Sequence, residues 1–398
     1  MKYANILSAA LVVAALSACD LKVTNPGPLQ DDQLDTPGAM PGLVNGMSGD
    51  LSQAIGNFLV DNSVMTDELK HSGNYAGPNE YAVGIIRPED VDGDYSNMQQ
   101  ARWVAEDGLR RMQRVLGAGF ETNTDTPRAY LYAGFANRLL GENSCQAVID
   151  GGPAESDSVY FQRAESLFTR ANTLATALGQ TDVATAALGG RASVRADLGN
   201  WSGAVTDAAL VPDNFEYDAI FSTNTSRENN DLAYETHQRR EVSVYGTQWA
   251  ATDADPRTPW DTVFTGSGSV QKGQDGATPF FRQEKYVSLG DNVPLTKGAE
   301  MLLLRAEDAL RNSSIPNMTT FINQSRAVYG MAAVAQPANT ADAWTLLQHE
   351  RGAVVWLEAR RLWDLRRWYA EGTNTFLNGR DKCVPFGSSE LGSNPHLH

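Results

Sequence analysis

Three aspartates alternate at Asp90, Asp92 and Asp94, the spacing with which a calcium loop presents its first carboxylates. The pattern breaks at Tyr95, which stands where such a loop needs glycine for its turn, so a solvated acidic turn is expected and no metal or cofactor is assigned. The five histidines, His71, His237, His349, His396 and His398, make no HExxH pair. Gly266-Ser267-Gly268-Ser269 lacks the GxSxG frame, and no Walker or GxGxxG loop occurs. The reading is therefore of a protein that binds rather than catalyses. A glycan hydrolase built on some pair of the many carboxylates is the weakest alternative, and a helical-repeat scaffold lipoprotein of the envelope the nearer one.

The densest chemistry lies between Gln348 and Ala370, QHERGAVVWLEARRLWDLRRWYA. Val354, Leu357, Leu365 and Trp368 keep close to one stripe of a helix, and Arg361 falls in the same stripe. A guanidinium there needs a carboxylate. Glu358 and Asp364 lie three residues to either side of Arg361, and Arg360 to Asp364 is an i,i+4 pair, so local partners are expected. Glu350, Arg351, Glu358, Arg361 and Asp364 are read as a structural ion network.

Of the three cysteines, Cys19 closes the run Leu16-Ser17-Ala18-Cys19 after Lys2 and a short apolar stretch. That is the bacterial lipobox, so residues 1–18 are read as a lipoprotein signal peptide with Cys19 as the lipidated residue. Nothing later is apolar for the roughly 18 residues that a span requires, which leaves the lipid as the expected membrane contact. Cys145 and Cys383 remain as a pair in an exported chain, and a disulfide is expected because oxidising compartments favour bridges.

The eight tryptophans sort by their surroundings. Trp103, Trp201, Trp344, Trp356, Trp363 and Trp368 lie in helical periods or turns and are read as packing. Trp249 and Trp260, with Tyr245, fall where no helix period requires an aromatic, and Tyr75 and Tyr81 occupy another polar excursion. Tyr75, Tyr81, Tyr245, Trp249 and Trp260 are the candidate ligand-binding surface, since flat aromatics with polar edges stack on extended ligands.

These residues need elements to hold them. In 398 residues the formal charge is −16, against nucleic-acid binding, which needs a basic surface. Residues 19–39, rich in Pro, Gly and Asp, read as a tether, and 40–398 as one domain. Helical periods run from Met40 to Leu59, Met98 to Leu116, Pro127 to Leu140, Tyr160 to Leu178 and Thr181 to Leu198, where Gly199-Asn200 makes a turn into another helix. Thr66 to Tyr95 reads as an ordered loop, and about 211–293 as a loop-rich insert on the ligand side. The amphipathic helix from Val293 to Asn312 follows it.

The run His349-Glu350-Arg351, then Glu358, Arg361 and Asp364-Leu365-Arg366-Arg367-Trp368, resembles the C-terminal signature of the SusD/RagB family of outer-membrane lipoproteins. Ala359 stands where that family has glycine, a mild change if the segment is one helix. Asn25-Pro26 at the start of the chain, Asp255-Pro256-Arg257, Val293 to Asn312, Phe321 to Gly330, and Val384-Pro385-Phe386 with Asn394-Pro395 are similar to further family landmarks, in the family's order. The resemblance implies a mostly α fold, with four tetratricopeptide-like helix pairs in a SusD-like α-α superhelix and an irregular insert. It further implies a lipid-anchored, cell-surface protein of the outer membrane that binds an oligosaccharide or peptide and hands it to a SusC-like TonB-dependent transporter.

Overall fold

The computed structural model describes residues 31–251 and 255–397. The lipobox with Cys19, the tether's first residues and Asn25-Pro26 lie outside the described residues. The helices, in chain order, are α1 (Met40–Met65), α2 (Ala76–Val83), α3 (Asp92–Leu116), α4 (Thr126–Asn143), α5 (Ser158–Ala177), α6 (Thr181–Asp197) and α7 (Trp201–Ala208). After the short α8 (Asp231–Tyr234) come α9 (Gly298–Arg311), α10 (Ile315–Val328), α11 (Thr340–Val354), α12 (Arg361–Ala370) and α13 (Ser388–Ser393). The protein is mostly helical, as expected. Helices α3 to α7 pack in series, each on the next, and α9 continues the series from α7 before packing on α10 and α11.

Small residues make that series close. A Cβ on Gly134 of α4 or Gly190 of α6 would come within 2.6 Å of the Phe168 ring of α5, so the two glycines let both neighbours lie against one phenyl group. Gly141 does the same for Phe161. The turn after α6 uses Gly199 at φ +77°, and the Asn200 side chain accepts from Gly203 N at 3.0 Å to cap α7.

The insert leaves after α7 and is clamped at its base, where Glu216–Ala219 pairs antiparallel with Val293–Lys297. Within it, Val242–Ser243 pairs with Lys70–His71, and Trp260–Thr262 with Phe281–Gln283. The expected loop from Thr66 to Tyr95 thus contributes a strand to the insert, and also contains α2. Its three aspartates do not form a solvated turn. Asp90 pairs with Arg87, Asp92 accepts from Ser389 N and Oγ at 2.7 Å, and Asp94 is buried, accepting from Tyr81 Oη at 2.7 Å. Among the described residues no group of three or more histidines, cysteines or carboxylates is arranged to hold a metal.

Cys145 and Cys383 form a disulfide across a separation of 238 residues, with Cα atoms 4.9 Å apart. Beside it, Cys145 N donates to Val384 O and Val384 N to Asn143 O, so the end of α4 and the C-terminal tail are joined by covalent and hydrogen bonds together.

The segment from Gln348 to Ala370 is not one helix. It breaks between α11 and α12, with Leu357 at φ +58° and Ala359 at φ +56°. The break holds because side chains from distant parts of the chain meet the backbone groups it frees. Glu68 accepts from Leu357 N at 2.6 Å, Tyr286 Oη donates to Leu357 O at 3.0 Å, and Lys297 Nζ donates to Val354 O. Ala359 therefore occupies a left-handed position, where glycine is the residue without strain, rather than a helical one.

With the helix broken, the expected local pairings do not form. Arg361 pairs with Asp67 at 2.8 Å, Arg360 with Glu142 at 2.9 Å and Glu300 at 2.5 Å, and Glu358 with Lys285 and Lys297. Asp364 pairs with Arg351 at 2.6 Å and Arg367 at 2.9 Å, and Glu350 with Arg257 and Arg326. Glu350, Arg351, Glu358, Arg361 and Asp364 are each less than 5% exposed. The ions staple α1, α4, α9, α11, α12 and the insert together.

Candidate functional site

The five aromatics of the expected ligand surface divide. Trp260 and Phe281 lie on neighbouring strands of one ladder, Thr262 opposite Phe281, and their rings stack at 4.9 Å with a 12° tilt. Tyr245 meets the same Phe281 ring edge-on at 5.2 Å and is 36% exposed. Val244 N donates to Phe281 O at 2.8 Å, which ties the Tyr245 segment to that ladder. Lys70 Nζ stands 5.7 Å from the Tyr245 ring centre, supplying a cation at one end of the row.

Tyr75 lies at the other end of the Lys70–His71 and Val242–Ser243 ladder. It is 42% exposed, with the Arg239 guanidinium 4.5 Å from its ring centre. Arg239 is held in turn by Glu241, which also accepts from Asn74 N at 2.9 Å. Tyr75, Tyr245 and Trp260 are thus presented on the insert side by short strands whose backbone bonds fix them.

Tyr81 and Trp249 are not on that surface, because both are fully buried. Tyr81 packs on Phe58 and donates to Asp94. Trp249 stacks on His349 at 5.5 Å, donates from Nε1 to Asp67 O at 2.9 Å and lies close against Gly352, where a Cβ would sit 2.8 Å from its ring. An indole gripped on both faces and at its N–H anchors the insert to the C-terminal junction.

Phe281, which the sequence reading passed over, is the ring that joins Trp260 to Tyr245. Its signal was the strand alternation in Phe280-Phe281-Arg282-Gln283, where Phe280 and Gln283 are buried and Phe281 turns outward. Trp103 was also misplaced. It is 48% exposed rather than packed, because the buried stripe of α3 runs through Met98, Ala101, Ala105, Leu109 and Met112 and leaves position 103 on another face.

Beneath these surfaces lie carboxyl groups with displaced acidities. Burial pushes Glu68 up to about 8, against the hydrogen bond from Leu357, so it is a neutral acid at physiological pH. Burial and the charge of Glu142 push Asp197 up to about 8 as well. Burial alone would raise Glu300, but the guanidiniums of Arg360, Arg351 and Arg138 hold it at about 2. Glu68 and Glu300 are fully buried.

The serial helix pairs with a strand-clamped insert make this a helical-repeat protein of tetratricopeptide-like type. Comparison then places it. The SusD family model matches residues 190–384. A SusD superfamily protein from Bacteroides thetaiotaomicron VPI-5482 superposes with a TM-score of 0.69 at 13% identity, covering 92% of this chain and 98% of that one. A SusD/RagB family protein from the same organism gives 0.66 at 11% identity over 89% and 94%. A SusD-like carbohydrate binding protein from Bacteroides vulgatus ATCC 8482 gives 0.61 at 15% identity, covering 83% of each chain. No curated protein matches the sequence. Residues 190–384 thus belong to the SusD/RagB family by sequence, and the chain as a whole has the SusD-like fold.

Proposed function

We propose that the protein is a nutrient-binding lipoprotein of the outer-membrane surface. It is anchored through Cys19, takes up an oligosaccharide on the face formed by Tyr75, Tyr245 and Trp260, and delivers it to a SusC-like TonB-dependent transporter without turning it over. The observation that carries this reading is the row Trp260, Phe281, Tyr245 and Lys70 on a SusD-type scaffold, with Tyr245 and Lys70 exposed and the Trp260 and Phe281 rings half-buried. Stacked and edge-on rings at fixed spacing suit the apolar faces of successive sugar rings, while Lys70 and Arg239 can donate to ring hydroxyls. The relative described as carbohydrate binding shares the fold and supports the ligand class.

Native membranes solubilised in mild detergent test the assembly. The full-length protein should co-purify with a β-barrel transporter, and Cys19→Ala should leave the membrane fraction. Purification alone, with Cys19→Ala still membrane-bound, would contradict both partner and anchor.

A further inference from the structure

Trp103, 48% exposed, is the only exposed tryptophan among the described residues. It stands on α3 one turn from Gln100, at the mouth of a cleft of about 410 Å3. The far walls of the cleft are the 148–151 turn, with Asp150, and α13, with Glu390 and Ser393. That volume is in the range of small-ligand pockets. No residue of the aromatic row on the insert takes part.

The walls are built rigidly. Arg102, 3% exposed, donates to Glu106 at 2.9 Å and to Asp150 Oδ1 at 2.8 Å, fixing one oxygen of a carboxylate that lines the cleft. Asp150 sits at φ +50°, a left-handed backbone that costs a non-glycine residue about 1 kcal/mol. The strain sets its half-exposed carboxylate at the rim. Burial would raise the Asp150 pKa, but the Arg102 hydrogen bond and charge hold it below the usual carboxylate range, so the group is ionised. The opposite wall is held by the two bonds from Ser389 to Asp92 and, earlier in the tail, by the Cys145–Cys383 disulfide. Glu390 bonds Asn394 through Oε1 alone.

An indole platform in one cleft with Asp150 and Glu390 favours one kind of ligand. The apolar face of a pyranose covers the indole, its hydroxyls donate to the carboxylate oxygens, and an anionic sugar is repelled by Asp150 and Glu390. We propose that this cleft is a second saccharide site, taking a neutral pyranose by stacking on Trp103 and hydroxyl donation to Asp150 and Glu390.

The test uses full-length protein in detergent, labelled with 5-fluorotryptophan, in a Tyr245→Ala/Trp260→Ala background that removes the insert row. The probes are maltoheptaose, cellohexaose, xylohexaose and mannohexaose. At least one should shift the Trp103 fluorine resonance saturably, and Trp103→Ala or Asp150→Asn should weaken that binding at least tenfold with the fold intact by circular dichroism. Asparagine tolerates the left-handed backbone, so Asp150→Asn reads the charge and not the turn. A Trp103 resonance unmoved by all four sugars, or Asp150→Asn binding as tightly as its parent, overturns the proposal. A shift produced only by a protein partner also overturns it. Because the insert row is absent throughout, none of these results depends on the function proposed above.

Discussion

The C-terminal junction and the insert face are built from the same residue types, arginines and aromatic rings, and use them for opposite ends. At the junction Trp249, Trp356 and Trp368 are fully buried, Arg360 is satisfied by carboxylates from two distant helices, and Arg361 by Asp67 in the turn after α1. On the insert Trp260, Tyr245 and Tyr75 leave a face to solvent beside Lys70 and Arg239. Trp249 and Trp260 show the contrast at close range, since both come from the same irregular stretch. The difference is what grips them: the first has stacking partners and a carbonyl acceptor, the second only one stacking ring. An aromatic outside any helix period is thus no sign of a ligand until its other contacts are counted.

The largest effect should come from breaking the junction. Arg360→Ala takes from buried Glu142 and Glu300 their nearest cation and should cost about 3–5 kcal/mol in chemical denaturation. Next, Trp249→Ala should lose about 3–5 kcal/mol of stability through its cavity, with ligand affinity of the folded protein unchanged. Trp260→Ala should do the reverse, weakening ligand binding by about 1 kcal/mol or more with little change in melting temperature. If both tryptophans behave alike, the two regions are not distinct in the way described.

A smaller effect separates the regions by pH. Glu68 is raised to about 8 from 4.5, so the folded protein holds a proton that the unfolded chain releases between those values. Its contribution is complete below pH 4.5 and is lost as pH rises toward 8. Glu68→Gln, a fixed neutral mimic, should therefore melt higher than the parent at pH 8 and about equally at pH 4.5. Melting curves at the two pH values decide it. The smallest effect is at the helix break, where Ala359→Gly should relieve left-handed strain for a gain of about 1 kcal/mol or less. A loss there would mean that the buried methyl group outweighs the backbone.

Much of this was legible from the residues. Helical periods located α4, α5 and α6 to within three residues and found α1 and α3 with one end six residues short, because each buries a stripe of its surface. The segment from Gln348 to Ala370 shows where local rules stop. Its spacing satisfies a helix and its charges satisfy i,i+4 pairing, yet Glu68, Tyr286 and Lys297 offer the backbone better partners from elsewhere, and spacing carries no trace of them. The same limit hid the burial of Tyr81 and Trp249, which depends on Asp94, Asp67 and His349. Trp103 was different, since the register of α3 already placed it off the core stripe.

The central claim is that the insert row is where ligand binds, and calorimetry on one double variant tests it most directly. Full-length protein should be titrated with the oligosaccharide that its own membranes retain, beside Tyr245→Ala/Trp260→Ala. The account predicts that the variant melts within a few degrees of the parent and loses at least tenfold in affinity. Unchanged affinity at unchanged stability would contradict it.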